Sequence, residues 1–194
     1  LPAETKPTIT SISPSVIENT QTAVTITGTN FISVPQVEAI NSTGAIVAAD
    51  SITFTSATQI VATFTLPVDG TYFLRVENND GNAVRSSSAL LTVSDAPAWT
   101  TAAGSIYTGA SVVSTITLSA TNATSFAVTT GAIPTGLTFT SGTGSCTIAG
   151  TQTEFSAAAT KNFSITATDA EGQTAVRAFS MSFTFGMSGS GGFN

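Results

Sequence analysis

Three acidic residues are the strongest candidates for chemistry in this sequence of 194 residues. Asp169 and Glu171 lie two positions apart, and Asp95 precedes Ala96-Pro97 in a linker. Carboxylates grouped near a domain end resemble part of a calcium site, although calcium takes about six to eight oxygen ligands. Three carboxylates are too few for such a site, so calcium is the weaker hypothesis beside a simple solvated hairpin turn. We predict no other metal and no cofactor.

The sequence excludes several kinds of catalytic site. It contains no histidine, which removes the imidazole-dependent triads, His-ligated zinc and the non-haem iron triad. No glycine-rich loop precedes a predicted helix, so a phosphate site has no candidate. A glycosidase needs two facing carboxylates, and most acids here lie in or beside turns. We therefore predict no catalytic residues and no enzymatic activity.

Cys146 is the only cysteine, so the chain cannot form an internal disulfide. The alternation in Ser145-Cys146-Thr147-Ile148 places Cys146 on the same strand face as Ile148. This position predicts a small buried hydrophobic residue. A reactive thiolate would need neighbouring positive charge, which the sequence does not offer.

Trp99, Tyr72 and Tyr107 are the remaining candidates for ligand contact, because aromatic rings can form a stacking platform for sugars. The competing interpretation is that these rings belong to the cores. In that interpretation Trp99 closes the end of the second core nearest the linker. Most of the twelve Phe residues are predicted to be core residues, since they lie at alternating positions.

The elements that position these residues are predicted to be β-strands. Apolar residues alternate with polar ones between short turns such as Asp69-Gly70 and Pro134-Thr135-Gly136, and no stretch shows helical spacing. The apolar series are Val24 and Ile26; Ile60, Ala62, Phe64 and Leu66; Tyr72, Leu74 and Val76; Ile116, Leu118 and Ala120; Phe163, Ile165 and Ala167; and Phe179, Met181, Phe183 and Phe185. Many short alternating strands predict an all-β fold.

The length predicts two sandwiches in series, since one immunoglobulin-like sandwich takes about 100 residues. A strand with Leu91 and Val93 ends before Ala96-Pro97, and a new alternating block follows Trp99. We therefore predict an N-terminal extension at 1–6, domains at 7–95 and 96–185, and a Gly/Ser-rich tail at 186–194. The tail is either loose or an arm ordered by a neighbour. Because the chain begins at Leu1 without Met, a processed or trimmed piece is one interpretation of it.

The composition argues against several partners. Charged residues make up 8% of the chain and the net charge is -6, with only five scattered Lys and Arg residues. A phosphate backbone or an anionic membrane surface binds clustered basic residues, so both are poor partners. No apolar run approaches the roughly 18 residues of a membrane span. The 41% of hydrophobic residues argues against disorder.

The first half resembles the TIG (IPT) immunoglobulin-like family. The resemblance rests on a first strand that ends in Ser13-Pro14, on a strand that ends in Gly28-Thr29-Asn30-Phe31, and on segment 70–76, which is similar to the penultimate strand of the family. It covers residues 7–95 and implies an immunoglobulin-like sandwich.

The second half resembles the putative-Ig, cadherin-like repeats of bacterial surface and phage proteins. The matching segments are 131–139, 144–151 and 163–173, within a region of similarity from about 97 to 185. The family usually has a proline after its Gly-Thr pair, where this chain has Gln152. We therefore expect the loop after Gln152 to differ from that of the family.

Both resemblances imply a non-catalytic structural or adhesive protein. The first hypothesis is a phage virion component, either a capsid decoration or a tail or fibre protein, on the virion surface. A secreted bacterial adhesin or spacer at the cell surface is the alternative, and an accessory domain of a larger enzyme is a third. The implied partners are other subunits of a multimeric assembly and a host-surface glycan or protein.

The edges of the predicted sheets carry few of the Lys and Pro residues that normally prevent strand addition. We therefore hypothesise that a neighbouring subunit covers at least one edge, or the glycine-rich tail.

Overall fold

The computed structural model describes residues 5–33 and 35–185, and each regular element within them is a β-strand. The chain divides between Asp95 and Ala96 into two compact units, called here the first and second domains. The predicted all-β class with two tandem immunoglobulin-like sandwiches is confirmed. The tail at 186–194, predicted to be loose or an ordered arm, lies outside the described residues.

The first domain has two facing sheets. One has the strand order β1-β3-β7-β6, and the other has the order β2-β10-β8-β4-β5 with β9 also paired to β8. All pairs are antiparallel except β2 with β10. The strands are β1 Thr8–Ser13, β2 Val16–Ile17, β3 Thr22–Thr29, β4 Gln36–Asn41, β5 Ile46–Ala48, β6 Ser51–Ser56, β7 Gln59–Phe64, β8 Gly70–Glu77, β9 Ala83–Arg85 and β10 Leu91–Val93.

The second domain repeats this plan with two four-stranded sheets, in the orders β11-β13-β16-β15 and β12-β18-β17-β14. Here the parallel pair is β12 with β18. The strands are β11 Ala98–Trp99, β12 Gly104–Gly109, β13 Val112–Thr121, β14 Ser125–Gly131, β15 Leu137–Ser141, β16 Ser145–Thr151, β17 Ala159–Thr168 and β18 Thr174–Phe183.

The core of the first domain follows the period-2 alternation of its strands. The apolar residues predicted to face inward on β3, β7 and β8 are buried. Tyr72 is among them, and its hydroxyl donates a 2.7 Å hydrogen bond to the Val68 carbonyl oxygen. This bond has the geometry of the tyrosine corner of immunoglobulin-like folds. Burial, with a smaller contribution from the nearby Asp69 carboxylate, raises the pKa of Tyr72.

The core of the second domain is built in the same way. The predicted series on β17 and β18 are buried, with Phe163, Phe179 and Phe183 at 3%, 2% and 1% exposure. Phe185 lies beyond the end of β18 and packs against this core while partly exposed. Among residues 5–33 and 35–185, the side chains of each core come from one domain. Each sandwich is therefore stabilised by the burial of its own apolar side chains.

Gln152 has a structural role that a proline could not fill. Its side chain is buried, its Oε1 accepts the Phe155 N–H at 2.8 Å, and its Nε2 donates to the Ser111 hydroxyl and the Phe155 carbonyl. Its backbone N–H donates to the Ser111 carbonyl at 2.9 Å, and proline has no such donor. Gln152 therefore fastens the loop that follows β16.

Candidate functional site

The acidic residues considered as calcium ligands do not form a recognisable cation site. Asp169 is 6% exposed, and its carboxylate accepts the Gln173 backbone N–H at 2.7 Å, which closes the turn between β17 and β18. Glu171 lies exposed in the same turn, and Asp95 lies at the end of the first domain. Across residues 5–33 and 35–185, no group of three His, Cys, Asp or Glu side chains could hold a metal ion. The described geometry therefore gives Asp169 a turn-stabilising role.

We expect calcium to leave the thermal unfolding temperature of the protein unchanged from micromolar to millimolar concentration. A ligand that binds only the folded state stabilises it by RT ln(1 + L/Kd), where L is the free ligand concentration. The measurement is a thermal melt with and without calcium, with magnesium as the control. A rise in Tm with calcium that is absent with magnesium, and is lost in Asp169→Asn, would show that a site exists.

The three residues proposed as a sugar platform are used for packing. Tyr72 is 1% exposed, so its ring face cannot stack on a ligand, and that part of the platform hypothesis is wrong. The Tyr107 hydroxyl lies 2.8 Å from the Ala110 carbonyl and 3.0 Å from the Val112 carbonyl, and its ring packs on Phe183. The hydroxyl groups of Tyr72 and Tyr107 therefore stabilise the loops next to them in the sequence.

Trp99 joins the two sheets of the second domain. Its ring packs edge-on against Phe126 and Phe179, with centroids 5.4 and 5.2 Å apart. The indole N–H donates to the Ala175 carbonyl at 3.0 Å, and Arg177 donates to the Thr101 carbonyl at 2.6 Å. β11 pairs with β13, whereas these contacts reach β18 in the other sheet. Trp99 therefore belongs to the second core, as one of the two alternatives predicted.

Cys146 is buried on β16 beside Leu118, its cross-strand partner. Burial raises the pKa of its thiol to about 11. A thiol that keeps its proton is a poor nucleophile, since the thiolate is the reactive form. The predicted role as a small core residue agrees with this geometry.

We expect the folded protein to lose stability through Cys146 as the pH rises from about 9 to about 11. The folded thiol keeps its proton up to a higher pH than the unfolded thiol, whose pKa is near 9.0. The contribution is therefore complete below pH 9 and disappears as the pH approaches 11. Urea unfolding at pH 7, 9 and 10.5 should show a steeper loss for the unmodified chain than for Cys146→Ala. Parallel losses in the two proteins would contradict this assignment.

A charged cluster on the first domain was not found from the sequence. Arg75 on β8 forms ion pairs with Glu38 on β4, at 2.9 Å, and with Glu77 two residues further along β8. On the same sheet the Arg85 guanidinium lies 3.9 Å from the centroid of the Phe73 ring. The spacing of Arg75 and Glu77 could have suggested a shared face, but the Glu38 contact requires the register of β4 against β8. These partly exposed pairs contribute little to stability.

A groove of about 430 Å³ crosses the sheet β12-β18-β17-β14 of the second domain. It is lined by backbone and by mostly small side chains, namely Ala103, Gly104, Thr130, Gly131, Asn162, Phe163, Ser164, Ala178, Phe179 and Ser180. None of these side chains titrates near neutral pH. The groove can therefore contact a ligand through hydrogen bonds and packing, and it supplies no acid, base or nucleophile of its own.

No described stretch of the chain forms a helix with the length and apolar character needed to cross a lipid bilayer.

Two family profiles match the chain in tandem. The IPT/TIG domain profile matches residues 7–94, and the Putative Ig domain profile (He_PIG) matches residues 87–184. These matches confirm the order of the two resemblances found in the sequence. Residues 87–94 fall in both matches, and the structure places their strand, β10, in the first domain beside β8. No curated protein sequence matches the chain significantly.

Solved structures share the fold at low sequence identity. The I-band fragment I67-I69 from titin aligns with a TM-score of 0.50 and 13% identity over 92% of this chain, which spans 66% of that fragment. The fibronectin(III)-like modules of Clostridium thermocellum CbhA align with a TM-score of 0.36 and 15% identity, over 92% of this chain and 94% of theirs. The Yersinia pseudotuberculosis adhesin InvE aligns with a TM-score of 0.32 and 16% identity, over 92% of this chain and 59% of its own. The titin likeness shows an immunoglobulin-like fold alone.

Proposed function

This chain belongs to the Putative Ig domain family through residues 87–184, and from that membership we propose that it is a non-enzymatic structural or adhesive protein of a phage particle. In this proposal it is displayed on the virion surface as a capsid decoration or as a tail or fibre component. Its partners are other subunits of the particle, and the displayed domains bind a host-surface glycan or protein.

The non-enzymatic part of the proposal rests on which reactive side chains the chain contains and on how they are buried or hydrogen-bonded. The sequence has no histidine, and its single cysteine is buried with a raised pKa. The Asp169 carboxylate accepts the Gln173 backbone N–H and so stabilises a turn. The imidazole base is thus absent from the sequence, and the thiol of Cys146 and the carboxylate of Asp169 are engaged in the structure.

The outer faces of the sheets support a role in packed assemblies. Hydroxyl side chains pair across neighbouring strands, as in Thr8 with Thr29 at 2.7 Å and Thr129 with Thr166 at 2.8 Å. These hydroxyl pairs hydrogen-bond without carrying charge, unlike the Arg75 ion pairs on the sheet that contains β8, in a chain whose charged fraction is 8%. The centres of protein interfaces are depleted of charged residues, because burying an unpaired charge is costly. Uncharged hydroxyl faces therefore suit contact with neighbouring subunits.

The test is to locate the chain in its native setting with an antibody raised against the purified protein. Immunogold electron microscopy should label purified virus particles at regular positions on the capsid or the tail. Particles treated with pre-immune serum are the control. Gold confined to the bacterial cell surface would favour the secreted adhesin or spacer instead. Detection of the chain only as part of a larger polypeptide with a catalytic domain would overturn the non-enzymatic proposal.

A further inference from the structure

β6 of the first domain is an exposed edge strand of unusual composition. It pairs with β7 on one side, and the described residues place no strand on its other side. Its sequence, Ser51-Ile52-Thr53-Phe54-Thr55-Ser56, has no charge, no proline and no glycine. Phe54 is 36% exposed, and Thr53 and Thr55 are exposed. Free edges of this kind are templates for adding another strand.

The other edge strands are shorter or carry features that hinder pairing. β2 and β11 have two residues each, and β5 has three. β1 has a register shift and lies between Pro7 and Pro14, while β12 and β14 also contain register shifts. β6 has a register shift of its own, but the shift is confined to Thr55 near the end of the strand, and the pairing with β7 is regular from Ser51 to Phe54. β6 is thus the least protected edge of the first domain.

β15 provides a comparison within the same molecule. It occupies the same place in its sheet as β6 and carries the same four residues, Thr138-Phe139-Thr140-Ser141. Its Ser141 hydroxyl accepts the Phe126 backbone N–H at 2.8 Å, which ties β15 to β14. Phe139 packs against the second core. The same sequence is therefore engaged in one domain and exposed in the other.

We propose that β6 is a self-association edge, which pairs antiparallel with β6 of a second copy of this chain. A two-fold axis at Thr53 places Thr53 opposite its own copy and Ile52 opposite Phe54, all within the regularly paired part of the strand. An aromatic residue facing a β-branched one, and threonine facing threonine, are favourable cross-strand pairs. The strand is thus complementary to itself, as a two-fold interface requires.

Repulsion between the two Asp50 carboxylates favours an antiparallel over a parallel pairing of the two β6 strands. Asp50 directly precedes β6. In a parallel in-register pair the two Asp50 residues would lie about 4.8 Å apart, the spacing of neighbouring strands. In the antiparallel pair centred on Thr53 they are about six residues, or roughly 20 Å, apart. This separation exceeds the Debye length of about 8 Å at physiological salt, so the repulsion is screened.

The contact is expected to be weak for an isolated pair of molecules. One short strand pair buries less surface than the roughly 1,200 Å² of a stable interface, so we expect a dissociation constant of the order of 0.1 to 1 mM. Display of many copies on one particle raises the local concentration into this range. The inference thus deepens the proposed structural function and rests on it.

Sedimentation velocity of the full chain between about 10 µM and 1 mM tests dimerisation through β6. Thr53→Lys and Thr138→Lys are the matched variants. Both replace an exposed threonine at the same place in the shared four-residue sequence. Thr53→Lys puts two cations face to face and should weaken dimerisation at least tenfold, whereas Thr138→Lys should dimerise like the unmodified chain. Circular dichroism and thermal melts of each variant verify that it is folded.

Oxidative cross-linking gives a second readout that does not depend on charge. In a Cys146→Ala background, Thr53→Cys should form a disulfide-linked dimer, and Thr138→Cys should remain monomeric under the same conditions. A monomer throughout the concentration range, or a dimer that Thr53→Lys leaves intact, would overturn the self-association edge. Immunogold labelling of the particle is independent of this outcome, so failure of the edge and failure of the virion assignment are distinguishable.

Discussion

We expect Phe64→Ala to lower the free energy of unfolding of the first domain by about 3 to 5 kcal/mol. The Phe64 side chain is fully buried between the two sheets of that domain. Its removal takes away the transfer free energy of the ring and leaves a cavity that packed neighbours fill incompletely. Small domains are stable by about 5 to 15 kcal/mol in total, so a large part of the stability is lost.

Urea unfolding followed by far-ultraviolet circular dichroism measures this loss, and tryptophan fluorescence separates the two domains. Trp99 is the only tryptophan and lies in the second core. The fluorescence midpoint should therefore stay unchanged in Phe64→Ala. Phe54→Ala is the matched control, since Phe54 lies in the same domain but is 36% exposed, and it should cost much less. Equal losses in the two variants would contradict the burial described for Phe64.

We expect Phe163→Ala to destabilise the second domain by a similar amount, about 3 to 5 kcal/mol. Phe163 is 3% exposed on β17, and its ring centroid lies 6.4 Å from that of Phe179 on the neighbouring strand. The loss removes a core ring and one partner of an aromatic pair.

Trp99 fluorescence reports this change directly, because the tryptophan packs on Phe179 in the same core. The fluorescence midpoint should shift to lower urea concentration in Phe163→Ala. Val176→Ala, at a residue on β18 that is 63% exposed, is the control and should leave the midpoint nearly unchanged. A fluorescence shift in Phe64→Ala as large as that in Phe163→Ala would indicate one cooperative unit and not two.

The inward-facing residues of the strands could be predicted from the sequence for a simple physical reason. Side chains alternate sides along a strand, so a buried face imposes period 2 on the apolar residues. Phe64 and Phe163 follow this rule and are buried. Phe54 also follows it, two positions after the half-buried Ile52, yet it remains partly exposed. Alternation identifies a face but does not tell an edge strand from a central one.

The contacts between distant residues could not be predicted, because they depend on register and on the packing of one sheet on the other. Arg75 meets Glu38 only because β4 pairs with β8 in one register. The Trp99 bond to Ala175 spans 76 residues and joins opposite sheets. The absence of an imidazole base, by contrast, follows from composition alone, and no structure was needed to exclude the classes of site that require it.

The separate expression of residues 5–95 and 96–185 tests the central claim that each half of the chain is a complete immunoglobulin-like sandwich with its own core. Two-dimensional amide NMR spectra should show, for each piece, the wide dispersion of a folded β-protein, together with a single cooperative unfolding transition. A collapsed spectrum for either piece, recovered only when the two pieces are joined, would contradict the claim.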